Sequence, residues 1–213
     1  MKEYSENNLL NSKELEYLVG KYKEKNPISK ILIENFYRAI EKVIRLLSPI
    51  DRALEVGCGA GISSIRIRRM LPQETHFEIS DVDDNAIRQF EKLGLPIPFQ
   101  QESALELKRG AGEFDCVFLL EVLEHVPNYK KALSELFRVS SKYVVVSTPN
   151  EPLWRVLNMF RGKYLKDYGN TPDHINHWSR SALVELIKEH GEIVKVYSPL
   201  PWTIVVAKTP LKK

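Results

Sequence analysis

A glycine-rich turn that directly follows a short apolar run is the first feature of this sequence that could bind a ligand. The run 52–56 is followed by glycines at positions 57, 59 and 61. Glycine permits a tight backbone turn and lets a ligand approach the main chain closely. A helix after the turn would offer unpaired backbone N–H groups to a polar ligand. The pattern predicts a strand, a ligand-binding turn and a helix in succession.

An acidic residue about one strand–helix–strand unit later indicates what the ligand contains. Asp81 follows the apolar run 77–79, and at this position a carboxylate can accept hydrogen bonds from both hydroxyls of a ribose. The ligand is therefore predicted to be nucleotide-like. Ile62 stands where the dinucleotide fingerprint has its third glycine, and Glu55 would repel a pyrophosphate. Both departures disfavour a nicotinamide oxidoreductase and suit a ligand that carries an ammonium group and a sulfonium.

A second reactive group is predicted at residues 121–125, Glu-Val-Leu-Glu-His, directly after an apolar run at 114–120. Histidine titrates near neutral pH, so His125, or His174 further along the chain, is the candidate general base, with Glu121 bordering the ligand. Carboxylates and imidazoles together also make a mixed oxygen–nitrogen metal site, which would comprise Glu121, Glu124, His125 and His174. A buried structural histidine is the alternative for each imidazole, and the sequence leaves these interpretations open.

The elements that position these residues alternate along the chain. Strands are predicted at 51–56, 75–80, 97–101, 114–120 and 142–147, and helices at 61–70, 84–93 and 128–139. Strands separated by helices predict an α/β fold with a parallel sheet between two helical layers. Apolar residues at helical spacing predict two further helices before the sheet, at 12–25 and 28–47.

Four segments in this order resemble the class I S-adenosylmethionine-dependent methyltransferases: 54–61, 81–87, 114–125 and 147–150. The resemblance implies a Rossmann-like, seven-stranded, mostly parallel sheet. It also implies a helix at 179–190 and a closing hairpin at 192–198 and 202–208, with the last strand antiparallel. We expect an N-terminal helical cap at 1–47, a cofactor-binding domain at 48–213, and a lid inserted after the fifth strand at 150–178.

The same resemblance implies S-adenosylmethionine as the cofactor and assigns residues to it. Val82 would pack against the adenine ring, and Ser103 stands where many relatives have an aspartate that reaches the adenine amine. The full cofactor set comprises Glu55, Gly57, Gly59, Gly61, Asp81, Val82, Ser103, Ala104 and Leu120.

Three hypotheses about the function follow: two name an acceptor, and one is a role without catalysis. The residues resemble the ubiquinone-pathway O-methyltransferases, which implies methylation of an oxygen on a small or lipid-like molecule. Locally, 121–125 and His174 also resemble the small-RNA 3′-end 2′-O-methyltransferases, which implies a divalent cation. A catalytically silent partner subunit is the third hypothesis, and the intact motifs disfavour it. A net charge of +3 without an added RNA-binding module disfavours nucleic acid.

The composition and the predicted lid indicate where in the cell the protein acts. The chain has 213 residues, 43% hydrophobic and 28% charged, as expected of a globular protein. We expect neither a signal peptide nor a segment that spans a membrane. Cys58 and Cys116 are predicted to be free thiols. These features predict a cytoplasmic protein. An apolar helix face with basic residues predicts peripheral membrane contact through 150–166; the cations are Arg155, Arg161, Lys163 and Lys166. The oligomeric state is not indicated.

Overall fold

The computed structural model describes residues 27–92, 94–160, 162 and 164–210. The predicted helix at 12–25 lies outside the described residues, as do Arg161 and Lys163 of the lid.

Strands and helices alternate through most of the described chain. The α-helices are α1 (Pro27–Leu47), α2 (Ile62–Met70), α3 (Asp84–Glu91), α4 (Tyr129–Val139), α5 (Leu153–Phe160) and α6 (Arg180–Lys188). The strands are β1 (Arg52–Val56), β2 (His76–Asp81), β3 (Phe99–Gln101), β4 (Phe114–Leu120), β5 (Ser140–Pro149), β6 (Glu192–Tyr197) and β7 (Trp202–Lys208). Two 3₁₀ turns occur at Leu123–His125 and Leu165–Asp167.

The seven strands form one sheet in the order β3-β2-β1-β4-β5-β7-β6. Neighbouring strands from β3 to β5 are parallel, and β7 runs antiparallel to both β5 and β6. Strand order reverses between β1 and β4, and ligands bind open α/β sheets at such a switch point, outside the carboxyl ends of the strands. The predicted fold class is confirmed, including the antiparallel last strand.

Two hydrophobic cores cover the two faces of the sheet. One contains side chains of α1, α2 and α3, and the other contains side chains of α4 and α6. Successive strand residues alternate between the cores, as in β4, where Phe118 faces the first core and Val117 and Leu119 face the second. The result is a three-layer α/β/α sandwich.

The described part of the predicted N-terminal cap is the helix α1, and it shares a core with the sheet. Phe36, Ile40 and Ile44 are buried in the same cluster as strand residues. The helix therefore belongs to the first layer, and the predicted division of the chain at residue 47 stays a prediction.

The boundaries of several elements differ from those predicted. The fifth strand was expected at 142–147, but β5 extends to Pro149 because Thr148 and Pro149 pair with Thr203 and Trp202 of β7. The third strand was expected at 97–101 and is shorter. Helix α3 ends at Glu91, ahead of Gly94, whose φ of 59° leaves the helical region.

None of the described helices is both long and apolar enough to cross a lipid bilayer.

Candidate active site

The glycine turn lies at the carboxyl end of β1, and its backbone requires glycine at two positions. Gly57 has φ 76° and Gly61 has φ 82°, a region that other residues rarely adopt. A Cβ atom on Gly57 would lie 2.5 Å from the Val122 side chain, and one on Gly61 would lie 2.3 Å from the ring of Phe90. A Cβ at Gly59 would meet nothing within 4 Å, so the turn is open on that side.

Asp81, at the end of β2, holds the turn in shape. One carboxylate oxygen accepts a hydrogen bond from the backbone N–H of Gly59 at 2.7 Å, and the other accepts one from Asp83 at 2.9 Å. Each oxygen keeps a second lone pair with which it could accept a ribose hydroxyl. Asp81 therefore has a structural role that the sequence did not reveal, in addition to its predicted contact with the ribose.

Glu55 is buried beneath the turn. Its carboxylate accepts a hydrogen bond from the Ser64 hydroxyl at 2.5 Å, which ties β1 to the first turn of α2. Burial raises the pKa of this carboxyl to about 7, although bonds from Ser63 and Ser64 favour the charged form. Contact between Glu55 and the ammonium group of a cofactor stays a prediction.

The other predicted cofactor residues line the same edge of the sheet. Val82 is 65% exposed beside the turn, so its side chain is accessible to a flat ring. The Ser103 hydroxyl accepts a bond from the backbone of Leu105, and Ala104 packs on the second core. Leu120 is buried at the end of β4.

Three of the four predicted metal ligands come together. Ligand atoms of Glu124, His125 and His174 all lie within 4.8 Å of one another. The two imidazole rings are 4.9 Å apart, edge to face. Burial, followed by the nearby His125 and His177, lowers the pKa of His174 to about 4, so this imidazole is neutral at pH 7. Because it is a weak base, the His174 imidazole is better suited to be a metal ligand than a general base.

The hydrogen bond of His125 fixes its tautomer. Nδ1 lies 2.9 Å from the backbone oxygen of Asp173, and because a carbonyl oxygen can only accept, Nδ1 must carry the proton. The lone pair of the neutral ring is then on Nε2, which lies 4.0 Å from the carboxylate of Glu124. The His125 side chain is 41% exposed, so the ring is not sealed from solvent.

Glu124 is a buried carboxyl with an unsatisfied atom. Its side chain is 2% exposed, and its Oε2 has no hydrogen-bond partner in the described part of the chain. Burial raises its pKa to about 7. Buried polar atoms in native proteins are almost always bonded, so an orphaned oxygen calls for a ligand or ion.

Glu121 lies outside the group of three, contrary to its predicted place among the metal ligands. Its φ is 58°, and its carboxylate accepts a hydrogen bond from the Ser147 hydroxyl at 2.7 Å. Burial and the nearby Glu124 raise its pKa well above the ordinary value, while bonds from Ser147 and Trp202 oppose this rise. Left-handed backbone in a non-glycine residue costs of order 1–3 kcal/mol and concentrates at functional sites.

The predicted lid, 150–178, is attached to the rest of the molecule through its last residues. Backbone N–H groups of Ile175 and Asn176 donate to the carbonyl oxygen of Glu124, and the Asn176 side chain donates to that of Val126 at 2.8 Å. The return segment 171–178 is thus fastened to the 121–126 turn, and His174 is held in place by it. Sequence reasoning missed Asn176, although it stands between the two histidines of the lid.

Aromatic side chains from three elements form a connected cluster with His174. Trp154 of α5 stacks on His174 with ring centroids 6.1 Å apart, and it lies 6.0 Å from Trp202 of β7. Phe36 of α1 meets Trp202 at 5.1 Å. Because these residues are far apart in sequence, no local pattern could have predicted that they pack together.

A family model described as a methyltransferase domain matches residues 15–192. The chain belongs to the methyltransferase domain family. Membership confirms the predicted resemblance to the class I S-adenosylmethionine-dependent methyltransferases and the cofactor that it implies. Contact of that cofactor with the glycine turn and with Asp81 stays a prediction.

Individual methyltransferases agree with this assignment. The chain is 28% identical over 155 residues to the ubiquinone biosynthesis O-methyltransferase of Methylococcus capsulatus; the match covers 66% of this chain and spans just under two thirds of the relative, 65%. A methyltransferase structure from Aquifex aeolicus shares the fold, with a TM-score of 0.64 at 18% identity, covering 80% of this chain and 89% of that one. Magnesium protoporphyrin IX methyltransferase from Synechocystis, with bound S-adenosylhomocysteine, gives 0.65 at 14% identity, covering 95% and 97%.

Proposed function

We propose that this methyltransferase transfers a methyl group from S-adenosylmethionine to the oxygen of a hydroxyl on a small or lipid-like molecule. The observation that carries the proposal is His125, a partly exposed imidazole whose tautomer leaves Nε2 unprotonated at the carboxyl edge of the sheet. A hydroxyl is a weak nucleophile, and its methylation requires removal of a proton.

In this proposal the cofactor supplies an activated methyl group on a sulfonium, and the chain aligns the acceptor and takes its proton. His125 accepts the hydroxyl proton on Nε2. The resulting imidazolium is stabilised by the Asp173 carbonyl oxygen at Nδ1 and by Glu124 beside Nε2. Trp154 and Trp202, whose ring planes are inclined at 48°, offer an apolar surface that holds the acceptor and excludes water.

The lipid-like character of the acceptor is supported by helix α5, whose exposure pattern is inverted. Its buried residue is the polar Asn158, which donates to the Gly169 carbonyl oxygen, whereas Met159 and Phe160 are exposed, Phe160 by 86%. Exposed apolar side chains on a helix are typical of an interfacial surface, so we extend the proposal to membrane contact through 150–166. Arg155, one of the predicted cations, is instead beside Glu151 and His177.

We also place the protein in the cytoplasm. Cys58 and Cys116 are both buried and free, which suits a reducing compartment.

The activity is tested with methyl-deuterated S-adenosylmethionine and three probes, catechol, phenol and hexadecanol, with products identified by mass spectrometry. The expected product is a deuterated methyl ether. His125→Asn should lower the rate by about 10²–10⁴-fold, the usual contribution of a general base, while leaving S-adenosylhomocysteine affinity within about twofold. His76→Asn, on the opposite end of the sheet, is the matched control and should behave as wild type.

Two results would overturn this proposal. Full activity of His125→Asn would remove its role as the base. Absence of any ether product from wild-type protein that binds S-adenosylhomocysteine would remove hydroxyl acceptors of these kinds.

A divalent cation is a second candidate, and it concerns the same site. Glu124, His125 and His174 fit a cation because they supply one carboxylate and two imidazoles, and because the Glu124 Oε2 atom is unsatisfied. Such an ion would lower the pKa of an acceptor hydroxyl. Titration with Mn²⁺, followed by electron paramagnetic resonance, should show one bound ion in wild-type protein and none in Glu124→Gln. Equal binding by both proteins would exclude this site.

A further inference from the structure

Tyr37 lies in the middle of α1, at the level of the glycine turn. Ten residues separate Tyr37 from the end of α1 at Leu47, and at 1.5 Å per residue they span about 15 Å. The five residues of β1 span about 16 Å in a sheet. Because α1 ends just before β1 begins and packs along the same face, Tyr37 lies level with the carboxyl end of β1.

The ring of Tyr37 is held in place from two sides. The Arg66 guanidinium lies over it, 4.3 Å from the ring centroid, and bonds to the Glu34 carboxylate at 2.9 Å. The Phe36 ring meets it edge to face at 5.3 Å. The hydroxyl is therefore pre-positioned by contacts of the ring.

The hydroxyl itself has no hydrogen-bond partner among the residues that the structure describes. The carboxylates of Glu55 and Glu121, at the ends of β1 and β4, act on it electrostatically. Burial, together with these acids, raises the pKa of the Tyr37 hydroxyl far above its ordinary value. The phenol therefore keeps its proton and is a hydrogen-bond donor at all physiological pH values.

The charges around this donor match the amino-acid end of S-adenosylmethionine, which carries an ammonium group and a carboxylate. The two buried acids suit the ammonium group, while the tyrosine hydroxyl and the guanidinium behind it suit the carboxylate. We propose that the Tyr37 hydroxyl donates a hydrogen bond to the carboxylate of the bound cofactor, so that α1 completes the cofactor site. The proposal rests on the proposed use of S-adenosylmethionine at the glycine turn.

The test compares two ligands that differ at this end. S-Adenosylhomocysteine carries the amino-acid moiety, and 5′-deoxy-5′-methylthioadenosine lacks it. Calorimetric titration of Tyr37→Phe should show S-adenosylhomocysteine binding weakened about tenfold or more, as expected for a lost bond to a charged group. Binding of 5′-deoxy-5′-methylthioadenosine should stay within about twofold of wild type. Tyr143→Phe, at a partly buried tyrosine of β5, is the control and should change neither affinity.

The outcomes separate the two levels of the proposal. If Tyr37→Phe weakens both ligands equally, or neither, while wild-type protein binds both, the assignment of Tyr37 is overturned and the proposed function stands. If wild-type protein binds neither ligand, the proposed function fails and the assignment of Tyr37 fails with it.

Discussion

The buried carboxyl of Glu55 should make the stability of the protein fall as the pH rises through neutrality. Its environment beneath the glycine turn raises its pKa from 4.5 to about 7, with burial as the largest cause. Below pH 4.5 the carboxyl is protonated in both the folded and the unfolded chain. Above that value the unfolded chain loses the proton first, so folding is progressively disfavoured until the folded pKa is passed.

The size of the effect follows from that difference. Each tenfold change in proton affinity corresponds to about 1.4 kcal/mol, so a rise from 4.5 to about 7 corresponds to about 3 kcal/mol over the full range. Most of it, about 2.5 kcal/mol, falls between pH 5 and pH 8. Glu55→Gln keeps the shape and an acceptor for Ser64 but cannot ionise.

Urea unfolding at pH 5 and pH 8 measures this contribution as a difference between proteins. Wild type should lose about 2.5 kcal/mol more than Glu55→Gln between the two pH values, because ionisable groups common to both proteins cancel. Glu91→Gln, at an exposed position of α3, should follow the wild type. Equal pH dependence of wild type and Glu55→Gln would refute the claim that burial raises the pKa of this carboxyl.

Three further changes have defined outcomes. Arg109→Met should lower the free energy of unfolding in urea by about 3–5 kcal/mol, because it leaves the fully buried Glu102 carboxylate without the guanidinium that lies 3.0 Å from it. Lys188→Met, in an exposed ion pair, should lower it by less than about 1 kcal/mol. An equal loss of stability in both variants would contradict this reasoning. Ser179→Ala removes the side-chain cap of α6 and should lower the free energy of unfolding by about 1 kcal/mol, against no change for Ser181→Ala. Replacing 159–168 with a short glycine–serine linker should reduce association with anionic vesicles at low salt and leave S-adenosylhomocysteine affinity intact. Lost affinity in a folded variant would show that segment 159–168 belongs to the cofactor site.

Much of the fold could be predicted because its signals are local. Alternating apolar runs and helical spacing identify the strands and helices, and three glycines with Asp81 mark the ligand edge. Backbone requirements explain why this signal is strong: Gly57 and Gly61 adopt positive φ where a Cβ would also clash.

The rest of the site depends on contacts between distant segments. Spacing and the family resemblance grouped Glu121 with Glu124, but Glu121 bonds to Ser147, 26 residues away, and lies outside the group of Glu124 and the two histidines. The lid was predicted as one unit, yet Asn176 fastens its return segment to the 121–126 turn. Tertiary partners of this kind leave no periodic pattern in the sequence, so only the structure reveals them.

A crystal structure of the protein with S-adenosylhomocysteine would show whether the carboxyl edge of the sheet binds the cofactor with its sulfur facing His125. We expect the ribose hydroxyls on Asp81, the amino-acid end between Glu55 and Tyr37, and the sulfur open toward Nε2 of His125. A ligand bound elsewhere, or bound with its sulfur turned away from His125, would show that the proposed site is wrong.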